Sequence, residues 1–140
     1  MEDAIRAAHT RFITELMRWK GTPADDQDRL ALAEKLTTGA QLQRMKEATA
    51  GRASTGQYVV GGYESSIVTV DIQGPSAARV VDCSKDLGVL YSKDGQIVIP
   101  ADDFYKLRET HLELIDGAWL VSDFITGGAE RCDPASAAQQ

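Results

Sequence analysis

The chain has 140 residues, 43% of them apolar and 26% charged, with a formal net charge of −6. That length suits one domain able to bury its own core, and the acidic balance argues against nucleic acid, whose phosphates need a basic surface. No stretch approaches the roughly 18 apolar residues of a membrane span, and the opening MEDAIRAAHTRF lacks the apolar centre of a signal peptide.

Residues 3 to 20 read as one amphipathic helix. Ile5, Ala8, His9, Phe12, Ile13, Leu16 and Met17 recur at spacings of three and four, which makes one apolar stripe. His9 falls on that stripe and is expected to be a core residue. Gly21, Thr22 and Pro23 end the helix. A second helix starts near Asp25 or Asp26, with Leu30, Ala33 and Leu36 inward, and a third spans about Ala40 to Thr49, stopped by Gly51.

From Ser54 the apolar period changes from about 3.6 to 2, the signature of strands. Gln57 to Val60 forms a short strand, and Gly61-Gly62 a turn or bulge. In SIVTVDIQ (66 to 73), Ile67, Thr69 and Asp71 face one way and Val68, Val70 and Ile72 the other. Ala77 to Cys83 is the next strand, and Lys93-Asp94-Gly95 turns the chain between GVLYS and QIVIP. Phe104 to Gly128 reads as a long hairpin about Asp116-Gly117, a dipeptide suited to a turn with two positive φ angles. The expected core is Phe12, Ile13, Leu16, Leu36, Val68, Val70, Val80, Leu112, Leu114, Leu120 and Phe124. One domain is expected over 1–132, with a polar, disordered tail over 133–140. Helices first and antiparallel strands after them give an α+β layout, with the helices on one face of the sheet.

The two cysteines, Cys83 and Cys132, sit in no CxxC and accompany only two histidines, which argues against zinc. If their strands are neighbours they can bridge, placing the protein outside the reducing cytosol; otherwise they are two free thiols in a cytosolic protein. The bridge is the favoured reading. The glycines at 61, 62, 127 and 128 lack the spacing and the Lys of a phosphate loop. No cofactor and no metal are expected, and no GxSxG elbow is present.

With its N-terminal amphipathic helix, two short helices, VTVDIQGPSAARVVDC and ELIDGAWLVSDFITGGAERC, the chain resembles the NTF2-like (cystatin-like α+β cone) superfamily, in particular its extracytoplasmic actinobacterial members. The matching positions are Asp82-Cys83, Asp116-Gly117-Ala118-Trp119-Leu120-Val121 and Cys132. The resemblance covers about residues 3 to 132 and implies a curved sheet wrapped around the first helix, a conical cavity and dimers through the sheet face. Its motifs specify fold rather than activity.

Two functions fit. The first is a non-catalytic binding or assembly domain of the cell envelope, a secretion system or a conjugation system. It would be secreted or held to a membrane through a segment outside this chain, and would meet a protein partner or a second copy at the sheet face or an edge strand. The second is an enzyme of the ketosteroid-isomerase or polyketide-cyclase type. That chemistry needs a base in an apolar pocket and a hydroxyl donor to an enolate oxygen. Asp71 and His111 are the candidate bases, and Tyr58, Tyr63 and Tyr105 the candidate donors. Glu109, His111 and Glu113 share one strand face, read as a solvent or dimer face rather than a metal site. The binding domain is the expected function.

Overall fold

The computed structural model describes residues 1–125 and 130–137. Helix α1 (Glu2–Arg11) runs directly into a π-helical turn, Phe12–Leu16, closed by Met17 N–H donating to the Phe12 carbonyl. Ile5, His9, Phe12, Ile13, Leu16 and Met17 are all buried along this unit. The expected helix to residue 20 stops short, because Trp19–Lys20 leaves it to form strand β1, paired with Gly61 and Val60. Backbone pairing within a sheet outweighs helix propensity there.

Helix α2 (Pro23–Leu36) begins where Thr22 Oγ1 accepts from Asp25 N–H, with Pro23 at a position that has no intrahelical donor to lose. Helix α3 spans Gly39–Thr55. Gly51 does not stop it: that residue faces open space, and a mid-helix glycine costs only about 1 kcal/mol. The helix ends at Gly56, whose φ of +76° is left-handed.

Eight strands among the described residues form two antiparallel sheets. The smaller has the order β1–β2–β5–β6, with β2 at Tyr58–Gly61, β5 at Val89–Tyr91 and β6 at Ile97–Ile99. The larger has the order β3–β4–β7–β8, with β3 at Tyr63–Ile72, β4 at Ala77–Asp86, β7 at Lys106–Ile115 and β8 at Ala118–Ile125. Gly61 lets the chain cross from one sheet to the other. Its φ is +126°, and a Cβ there would lie 2.5 Å from the Leu87 carbonyl oxygen. The β7–β8 turn uses Asp116 and Gly117 with φ of 51° and 82°, as the dipeptide suggests. Residues 126 to 129, including the second glycine pair, lie outside the described residues.

The core differs from expectation on two strands, each for the same reason. A bulge between Ile67 and Thr69 takes Val68 out of the alternation, so Ile67 and Val70 pack on the same inner face. Val68 and Leu120 are half-buried and stand outside the core cluster, as does Leu114. A second bulge opposite His111/Leu112 puts Trp119, Val121 and Phe124 together against the helices. Ile5, Met17, Ala33, Ala78 and Val121 complete the buried centre. Cys83 and Cys132 form a disulfide with a Cα–Cα distance of 5.9 Å. Of the expected disordered tail, Pro134–Ala137 is instead a short helix, α4, against β3 and β4, and 138–140 lie outside the described residues. No helix among the described residues is long and apolar enough to cross a membrane.

Candidate functional site

The inner face of the larger sheet changes character along its length. At one end Ala78, Val80, Leu112 and Val121 meet α1. Further along β4 and β7, the same alternation presents Asp82, Ser84, Thr110 and Arg108, all buried. Period 2 fixes this placement: residues 78, 80, 82 and 84 share one face.

Asp82 is fully buried. It accepts from Ser65 Oγ at 2.5 Å and Ser84 Oγ at 3.1 Å, and its Oδ2 lies 3.2 Å from His9 Nε2. The imidazole is within ion-pair distance, yet the angle is too poor for a hydrogen bond, and neither ring nitrogen has a hydrogen-bond partner among the described residues. Thr110 Oγ1 is likewise buried and unpartnered among them. Buried polar atoms thus share this face of β4 and β7 with the buried apolar residues Val80 and Leu112.

A second polar group lies near the Asp86 end of β4 and the start of β7. Arg108 donates from Nη1 to the Ser84 carbonyl (2.8 Å) and hydroxyl (3.0 Å), and from Nη2 to Asp102 at 2.6 Å. Its guanidinium carbon sits 5.3 Å from the centre of the Tyr63 ring, and the Tyr63 hydroxyl donates to Asp86 at 3.2 Å. Burial, then the neighbouring Asp86 charge, pushes the Tyr63 phenol well above its ordinary value. Burial also raises Asp86, against the Gly88 N–H and the Tyr63 hydroxyl that favour its charged form. Burial raises Asp102 too, but the Asp86 backbone N–H and Arg108 outweigh it and hold that carboxyl below the usual range. Tyr63 and Glu64 also line an open depression of about 570 Å³ beside Ile13, Arg18 and Leu87.

The four sequence-derived catalytic candidates do not share a pocket. Asp71 and His111 lie on the outer sheet face, opposite Arg79 in the β3–β4–β7 register. Arg79 spans the row, 3.5 Å from Asp71 and 3.4 Å from Glu109, and Glu109 lies 3.0 Å from His111 Nε2. Tyr63 faces inward, and Tyr105 precedes β7 with its hydroxyl bonded to Glu64. Tyr58 stacks on Tyr91 in the smaller sheet, with ring centres 5.2 Å apart. The residues the sequence reading passed over are Asp86, Asp102 and Arg108. Arg108 stood in the alternation with Thr110 and Leu112, which was the available signal.

A third region lies on the helical side. Trp19, Arg29, Arg44, Met45 and Arg52 border a cleft of about 170 Å³ between α2 and α3. Arg29 is buried, with Nε donating to the Leu16 carbonyl at 2.9 Å and its guanidinium carbon 4.1 Å from the centre of the Trp19 ring.

No protein-family model matches the chain, and no curated protein matches its sequence. Among solved structures, it is similar to the intermembrane space region of the chloroplast protein ARC6, at 11% identity and a TM-score of 0.56, over 89% of this chain and 88% of that one. A ketosteroid isomerase-like protein from Erwinia carotovora atroseptica SCRI1043 aligns at 16% identity and a TM-score of 0.48, over 88% of each chain. At such identities likeness speaks to fold alone. With its helices packed on the inner face of an antiparallel sheet, the chain has the NTF2-like α+β cone fold.

Proposed function

We propose that the chain is a non-catalytic NTF2-like binding or assembly domain working outside the cytoplasm, in a cell-envelope, secretion or conjugation assembly. The observation that carries this reading is the filled space beneath α1. His9, Asp82 and Thr110 are each exposed by 1% or less, and Phe12 and Leu16 of the first helical unit are fully buried as well. A base under that packing has no room for a substrate. The isomerase or cyclase alternative needs a base and a hydroxyl donor in one apolar pocket, whereas Asp71 and His111 sit across the sheet from Tyr63. The Cys83–Cys132 bridge supports an oxidising compartment.

The partner surface is β6. Ile97, Val98 and Ile99 are exposed by 62%, 47% and 58%, on a strand at the edge of the smaller sheet. Native edges are commonly blunted by charge or brevity; this one is short but carries three adjacent apolar side chains. Three side chains fall well short of the roughly 800 Å² per partner of a stable interface. A second copy docked through β6 alone is therefore disfavoured. An extended apolar segment of another protein, adding main-chain bonds to the open edge, fits better.

The test places a photo-crosslinking residue at Val98, and separately at Asp71, in cells that express the protein natively. A discrete crosslinked partner from position 98, lost when Ile97→Lys and Ile99→Lys are introduced, is the expected result. No adduct at position 98, or isomerisation of a β,γ-unsaturated ketone that Tyr63→Phe abolishes, would overturn the reading.

A further inference from the structure

The cleft between α2 and α3 is rich in positive side chains. Three guanidiniums border it, those of Arg29, Arg44 and Arg52. The acidic side chains paired to them are Asp26, bonded to Arg52 at 3.0 and 3.2 Å and to Arg29 Nη1 at 3.4 Å, and Asp123, bonded to Arg44. Three cations thus share two hydrogen-bonded carboxylates, with the Asp25 charge also acting on Arg29.

Two residues that line the cleft carry buried donors without acceptors. Arg29 is 5% exposed, and its Nη2 has no hydrogen-bond partner among the described residues. Trp19, beneath the same guanidinium, buries an Nε1–H that is also unpartnered there. Buried donors are normally satisfied, and a pair left open on one cleft asks for an acceptor. Burial, then the Arg52 charge, lowers Arg29 to about 10; an anion in the cleft would relieve both strains.

The rest of the wall is Met17, Met45 and Ala48, together with Gln41, whose Oε1 accepts from Arg44. An inorganic anion would leave that wall unused. A cavity of about 150 Å³ holds a benzene ring, and this one is about 170 Å³. Thioethers make favourable contacts with aromatic rings, and a planar guanidinium matches a carboxylate. We propose that this cleft binds a small monocarboxylate with a compact aromatic or branched apolar body, its carboxylate accepting from Arg29 and Trp19. Both donor atoms are closed off from water, so a lining side chain must move aside on binding. No lining residue belongs to β6, so the site stands or falls independently of the edge-strand partner.

The test titrates the full chain with sodium benzoate, benzamide and inorganic phosphate, read by amide chemical shifts and Trp fluorescence. Benzoate should perturb Met17, Trp19, Arg29 and Met45 and bind at least tenfold more tightly than benzamide, its neutral isostere. Arg29→Met should weaken benzoate at least tenfold. Because Arg29 also holds the Leu16 carbonyl, that variant risks misfolding, and Ala48→Phe serves as a second variant that fills the cleft and keeps every cation. It should abolish binding with the fold retained by circular dichroism. Equal affinity for benzamide, phosphate shifting the same amides as strongly, absence of localised shifts, or undiminished binding by Ala48→Phe would each overturn the proposal.

Discussion

Asp82 and His9 face each other with almost no access to solvent, at 3.2 Å and without a good hydrogen-bond angle. A buried pair of this kind gives little net stability, but losing one member leaves the other stranded. Asp82→Ala also removes the acceptor of the Ser65 and Ser84 hydroxyls. It should therefore destabilise the protein by about 3–5 kcal/mol. His9→Leu alone should be costly as well, because the carboxylate stays buried. The double variant His9→Leu, Asp82→Leu should recover much of the loss, since apolar packing replaces both polar groups. Urea unfolding of the three variants closes the cycle. Losses that simply add would show that the two side chains do not act as a pair.

At the level of elements, the disulfide ties the middle of β4 to the segment that carries α4 across the outer sheet face, closing 49 residues of sequence. In the chain-entropy model a loop of that size contributes about 4 kcal/mol. Cys132→Ser should lower unfolding free energy by that order, and a reducing agent should lower the wild type equally without affecting the variant. A loss under 1 kcal/mol would mean that the segment contributes little to the folded state. The pairing was legible in the sequence because VVDC reads as a strand and Cys132 follows the last one. The turn at Asp116-Gly117 was legible for a local reason, the need for two positive φ angles. Inner and outer faces were less legible. A one-residue bulge at Val68 reverses the phase of everything beyond it, and alternation alone carries no sign of such a bulge. The end of α1 was obscured in the same way, since Trp19 joins a strand whose partner, Val60 to Gly61, lies some forty residues along the chain. The inward Asp82 and Arg108 were hidden by composition, because charged residues on a strand read as its solvent face until their buried partners are known.

Across the whole molecule, the cluster where β4 ends and β7 begins sets two carboxyls against each other in acid. Tyr63, Gly88, Asp102 and Arg108 face Asp86, and burial raises its pKa in the fold. A raised carboxyl binds its proton more tightly in the folded chain. Its stabilising contribution is fully present below the ordinary carboxylate pKa and is lost as pH rises through the folded value. Asp102 has the opposite sign. Held low by Asp86 N–H and by Arg108 despite its burial, it stabilises above the ordinary value, and this is lost as pH falls through its folded one. Titrating down from neutrality, stability from this pair should first rise as Asp86 takes up a proton, then fall as Asp102 does. Asp86→Asn removes the first limb; its single amide oxygen can keep the 2.8 Å bond from Gly88 N–H, while its NH2 donates to the Tyr63 hydroxyl that donated to Asp86 at 3.2 Å in the wild type. Relative to wild type, Asp86→Asn should be most favourable at neutral pH and lose that advantage steadily on acidification. Denaturant unfolding at several pH values from neutrality to the ordinary carboxylate range measures it. A wild-type-to-variant difference that stays constant across that range would show that Asp86 ionises in the fold as it does in the unfolded chain, and that the Tyr63–Asp86–Arg108 cluster carries no stored electrostatic cost.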